Sequence, residues 1–115
     1  MPNLAQPAVL DLAQLRDVCL EDPELMREVT ASLIDDARAQ IPVLEEALSQ
    51  SDGNRCARVA HYVKGACANV GAVAMAVLLR NIELSAGSGD FSACRVSLTS
   101  LATELERFSS EAASL

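Results

Sequence analysis

An all-α protein is predicted by this sequence, built as an antiparallel up-and-down four-helix bundle with a short extra helix at its N-terminal end. Three observations carry that prediction. Apolar residues recur every three or four positions through most of the chain, and no segment alternates as a half-buried strand does. Only three aromatics occur, Tyr62, Phe91 and Phe108, so the core is made of Leu, Val, Ile and Ala, a palette suited to helices packed side by side. Short turn sequences, Ser51-Asp52-Gly53-Asn54 and Gly87-Ser88-Gly89-Asp90, separate the periodic segments, and short connections make neighbouring helices antiparallel.

Residues 1–8 have no periodicity and read as a flexible lead-in; residues 9–115 read as one domain. From Val9 to Val18, Leu12, Leu15 and Val18 or Cys19 recur at helical spacing, enough for a short helix covering one end of the bundle. The first long helix has a clear start: Asp22 caps, Pro23 suits the first helical position, and Glu24 meets the positive end of the dipole. Met26, Val29, Leu33, Ala37, Ile41, Leu44 and Leu48 then draw an apolar stripe to about Ser49. Pro42 lies inside it. Proline removes a helical hydrogen bond, which predicts a kink near Arg38 to Ile41, but the stripe continues beyond it and so does the helix.

The second long helix starts near Asn54 and ends around Gly71, glycine being suited to a left-handed C-terminal position. Ala72 to Ala86 forms the third, with Met75, Leu79, Ile82 and Ala86 on one face. Asp90 caps the fourth, whose stripe is Cys94, Leu98, Leu101, Leu105 and Phe108.

Composition bounds the function. A chain of 115 residues fits a single core without disulfides or metal. Its charge of −7 at pH 7, with Lys and Arg scattered singly, opposes a nucleic-acid backbone. The apolar stretch Val70 to Leu79 is too short to span a bilayer, and Met1 to Leu10 lacks the pattern of a signal peptide, so a cytoplasmic location is the expectation. Cysteines 19, 56, 67 and 94 form no C-x-x-C unit and read as reduced, buried packing residues. Cys56 and Cys67 share a helix face, yet eleven residues separate them by about 16 Å, too far for one metal ion.

His61 is the one histidine. On a helix advancing about 100° per residue, Val59, Val63, Ala66 and Val70 fall at roughly 140–200° from it, so the imidazole points away from the apolar stripe. A core histidine belongs on that stripe. Ala57, Arg58, Lys64, Gly65 and Ala68 lie within roughly 60° of it, a face with two cations and little bulk. Glycine inside a helix costs about 1 kcal/mol relative to alanine, and at Gly65 the compensation is read as clearance for another molecule approaching the imidazole.

His61-x-x-Lys64-Gly65, Asn69-Val70-Gly71-Ala72, Ile82-Glu83 and Gly87-Ser88-Gly89-Asp90 together resemble the motif of histidine-containing phosphotransfer (HPt) domains, in continuous register over about thirty residues. The resemblance implies a relay step of a two-component phosphorelay. His61 would accept a phosphoryl group from a receiver-domain aspartate and pass it to another receiver, or back. A neutral imidazole has one nitrogen with a free lone pair and is nucleophilic near neutral pH. Nε2 is assigned that role, with Nδ1 held from the bundle side.

Glu83 is the residue the family pattern offers to accept from Nδ1–H; helical geometry alone slightly favours a solvated glutamate, and the resemblance brings the two readings level. Lys64, one turn from His61, is placed to donate to phosphoryl oxygens. Arg80, one turn before Glu83, joins Ala57, Arg58, Gly65 and Ala68 as a candidate contact for the partner. No glycine-rich nucleotide loop, carboxylate cluster or second histidine occurs, so neither ATP binding nor autokinase activity is expected, nor any cofactor of its own; magnesium belongs to the partner receiver. A monomer is expected, either free-standing or the C-terminal segment of a hybrid sensor kinase tethered at the membrane. The alternatives are a helical adaptor that binds a receiver or kinase without being phosphorylated, and a metal-binding bundle using His61 with cysteines.

Overall fold

The computed structural model describes residues 6–115. Five helices follow in order: α1 Leu12–Val18, α2 Pro23–Ser49, α3 Gly53–Val70, α4 Val73–Gly87 and α5 Phe91–Ala112. Among the described residues there is no strand. α2 to α5 close into the four-helix bundle, each packed on its chain neighbour and α5 returning to α2, while α1 lies across α2 and α3.

Four of the five helices begin at an aspartate whose carboxylate accepts backbone N–H groups that the first turn leaves without helical partners: Asp11, Asp22, Asp52 and Asp90. α4 starts at Ala72 with no side-chain cap. α2 runs unbroken through Pro42, as the continuing stripe predicts. α1 begins three residues later than the periodicity places it. Asp11 is the reason: its side chain accepts from Gln14 N–H at 3.2 Å, so Val9 and Leu10 stay outside the helix and half-buried against the core. Residues 1–5 of the expected lead-in lie outside the described residues; Gln6 and Pro7 border α4 and α5, and the Ala8 carbonyl accepts from Ala74 N–H at 2.9 Å.

The predicted stripes of α4 and α5 are buried in full, and on α2 only Val29 and Ile41 are less than fully so. In α1 the inward residues are Leu15 and Cys19, not Val18, which is 42% exposed. On α3 the buried set is Cys56, Ala60, Val63, Cys67 and Val70, with Val59 and Ala66 half-buried. The stripe is thus turned toward the cysteines, because α3 lies between α2 and α4 and its closest packing is with α4.

Two glycines hold the chain where these helices meet. Gly71 ends α3 at φ +87°, as its sequence position predicts, and a Cβ there would come within 2.7 Å of the Asp11 carbonyl oxygen. At Gly53 a Cβ would meet the Ala86 carbonyl at the same distance, so its absence lets the start of α3 reach the end of α4. The register between α3 and α4 follows, and with it the level at which His61 faces Glu83. Among the described residues, no helix is long and apolar enough to cross a membrane.

Candidate functional site

His61 projects from the middle of α3 with 70% of its side chain exposed. Its helix buries Ala60 and Val63 on the opposite side, so the core orients the ring outward without touching it. Glu83 lies at the same level on α4, one residue after the fully buried Ile82, and its side chain is 22% exposed. Its Oε2 is 2.5 Å from His61 Nδ1, and its Oε1 accepts from Lys64 Nζ at 2.9 Å. One carboxylate therefore binds both side chains of the His61-x-x-Lys64 pair.

That bridge lowers the Glu83 pKa below its ordinary value. The hydrogen bond from Lys64 is the largest cause, opposed by partial burial and supported by the hydrogen bond and charge of His61. An ionised Glu83 is an acceptor only, so Nδ1 carries a hydrogen, and in the neutral ring Nε2 is the nitrogen with the lone pair. The free nitrogen is the one facing outward. Glu83 thus sits against the imidazole and is not a freely solvated side chain.

Lys64 is only 25% exposed, and one of its three N–H groups is engaged by Glu83. Spacing from His61 did not reveal that pairing, since it depends on the register of α4 against α3. Gly65 is exposed, and a Cβ built there would find nothing within 4 Å. Unlike Gly53 and Gly71, it answers no internal contact. Arg58 and Arg80 are exposed on α3 and α4, and Ala57 is half-buried. Ala68 is exposed as a side chain, while its carbonyl accepts from Gln14 Nε2 at 2.6 Å, tying α1 to the far end of this face. Gln14 was not foreseen, because α1 and α3 are distant in the chain.

The four cysteines are buried and unpaired. Among the described residues, no group of three or more His, Cys, Asp or Glu is placed to hold a metal ion.

An exposed imidazole, fixed in one tautomer on a four-helix bundle, is the arrangement of a histidine phosphotransfer module. A family model for the Hpt domain matches residues 28–111, and the chain belongs to that family: it is a histidine phosphotransfer protein of a phosphorelay, a class that works with receiver domains. Among solved structures it is similar to histidine-containing phosphotransfer protein B (HptB) from Pseudomonas aeruginosa PAO1, with a TM-score of 0.82 and 22% identity over 93% of this chain and 96% of that one. At that identity the likeness speaks for the fold. A comparison with curated proteins gave no match.

Proposed function

We propose that His61 is the phosphoacceptor, taking a phosphoryl group from an aspartyl phosphate on a receiver domain and passing it to the aspartate of another, or back. The observation that carries this reading is the exposed imidazole with Nδ1 held by Glu83 at 2.5 Å, which leaves Nε2 as the nucleophile.

The Nε2 lone pair attacks phosphorus. A P–N bond forms as the P–O bond to the aspartyl carboxyl breaks, and that electron pair leaves with the aspartate as carboxylate. The ring becomes a cation still carrying its hydrogen on Nδ1, and the Glu83 carboxylate beside it stabilises the positive charge, the orienting role familiar from catalytic triads. Onward transfer reverses the sequence: a second aspartate attacks phosphorus and the P–N pair returns to Nε2. The chain supplies the nucleophile and its orientation; the magnesium that screens the phosphoryl charge belongs to the receiver.

Lys64 acts in two ways on this reading. Its ammonium balances Glu83, so an arriving phosphoryl dianion does not meet an uncompensated carboxylate. Its remaining N–H groups are available to the phosphoryl oxygens. Gly65 leaves the approach to the ring open, and Ala57, Arg58, Ala68 and Arg80 border the face on which the receiver sits.

Incubation with a phosphorylated receiver tests the assignment. Wild-type chain should gain acid-labile, alkali-stable phosphate, and His61→Gln should gain none. Equal labelling of both would remove His61 from the role, and normal relay function without any labelling would favour an unphosphorylated adaptor.

A further inference from the structure

Charge on this protein is segregated by helix. Residues 53–87, comprising α3, α4 and their turn, carry Arg55, Arg58, Lys64 and Arg80 against the single carboxylate Glu83, a net of +3 on a chain of −7. The remaining residues therefore carry −10. Ion pairing narrows the positive face further. Lys64 is matched by Glu83 at 2.9 Å, and Arg55 lies 4.0 Å from Glu46 of α2. Among the described residues Arg58 and Arg80 have no ion-pair partner, and both are exposed.

Their positions are as informative as their charge. Arg58 precedes His61 by three residues on α3, and Arg80 precedes Glu83 by three on α4. His61 and Glu83 are level, and the two helices run in opposite directions. The backbone positions of the two arginines therefore stand a little under one turn, roughly 4.5 Å, to either side of the His61–Glu83 level along the bundle axis.

We infer that Arg58 and Arg80 are an electrostatic docking pair, which selects receiver domains whose surface around the aspartyl phosphate is acidic and orients them on the α3–α4 face. The inference rests on His61 being the phosphoacceptor. An acyl phosphate is a dianion, and a chain of −7 would repel it if its charge were evenly spread. Screening at physiological salt confines each charge to about 8 Å, so a partner near α3 and α4 meets the local cations, while elsewhere it meets the excess of carboxylates. Attraction at one face and repulsion at the others favour productive encounters. The effect belongs to association rather than to the transfer step.

The test separates the two donors that reach His61. Initial rates of labelling are measured with phosphoramidate, a small donor needing no docking, and with a panel of phosphorylated receivers at subsaturating concentration from about 50 to 500 mM salt. Arg58→Glu/Arg80→Glu should lower labelling by the receivers about tenfold or more and flatten its salt dependence, with phosphoramidate labelling within about twofold of wild type. Arg16→Glu/Arg95→Glu makes the same change in net charge off this face and should leave the receiver rate within about threefold. Arg58→Gln/Arg80→Gln serves if charge reversal disturbs folding, with an intermediate loss. Unchanged receiver rate and salt slope in the face variants, or an equal loss in the Arg16/Arg95 control, overturns the docking pair while the His61 assignment stands. Failure of the wild-type chain to label with either donor overturns both.

Discussion

A single carboxylate sets the chemistry at the residue scale. Glu83 holds the imidazole through one oxygen and the lysine through the other, so removing either partner changes the third. Glu83→Leu should release the tautomer: nitrogen NMR of His61 should show hydrogen moving from Nδ1 toward Nε2, and transfer should slow by about tenfold or more, the worth of one charge-assisted hydrogen bond. Glu83→Gln retains an acceptor and should lose less. Lys64→Ala should slow transfer by about tenfold while costing under about 1 kcal/mol in urea unfolding, the range for a partly exposed ion pair. A large loss of stability would make Lys64 structural. The pairing also has an acid limit. Because its folded-state pKa is lowered, Glu83 contributes stability fully above its ordinary value near 4.5, and that contribution is lost as pH falls through the lower value; Glu83→Gln should flatten this acid limb in urea titrations. His61 was legible because one histidine stood off an apolar stripe. Glu83 was legible only through the family pattern and its bond to Lys64 not at all, since residues 19 and 22 positions away meet it only through the packing of α3 on α4.

At the scale of elements, caps and apolar stripes were read well because they are local. Asp22 and Asp90 signal their helices within one turn, and the stripes of α4 and α5 repeat at the helical period with no competing pattern. The start of α1 was misplaced because Val9 and Leu10 are apolar for a different reason: they pack on the bundle as extended chain. Gly71 joins these two regions. Asp11 N–H donates to the Gly71 carbonyl at 2.8 Å, and the Asp11 carbonyl occupies the space a Cβ at residue 71 would need. Gly71→Ala therefore meets both an unfavourable left-handed φ and a steric clash, and should destabilise by about 2 kcal/mol or more in urea unfolding. Gly65→Ala is the matched control. It sits in open space within a helix, so it should stabilise by up to about 1 kcal/mol. If Gly65 is kept small for a visitor, Gly65→Leu should fold equally well yet accept phosphate from a receiver far more slowly than from phosphoramidate; equal rates would leave the glycine without that explanation.

For the whole molecule, the same burial that makes the bundle keeps its thiols out of the chemistry. Cys19, Cys56, Cys67 and Cys94 have no exposed surface, and three of them have raised pKa values: Cys56 to about 11, through burial and then the neighbouring Cys94, Cys67 to about 12 through burial and then Asp36, and Cys94 upward through burial. A thiol reacts as thiolate, so in the native state none of the four should react with a disulfide reagent near pH 8 on the timescale of minutes, and all four should react once urea unfolds the chain. These raised values have a thermodynamic consequence. The unfolded chain ionises its thiols from about pH 9 while the folded one resists, so their contribution to stability is complete below 9 and declines as pH rises toward 11 and 12. Stability should then form a plateau, bounded in acid by Glu83 and other carboxylates and in alkali by the thiols. Replacing Cys56 and Cys67 by alanine should lower the plateau, because buried volume is lost, yet flatten its alkaline side. An alkaline limb unchanged in that variant would assign the decline to other groups, whereas loss of the limb alone would identify the buried thiols as its source.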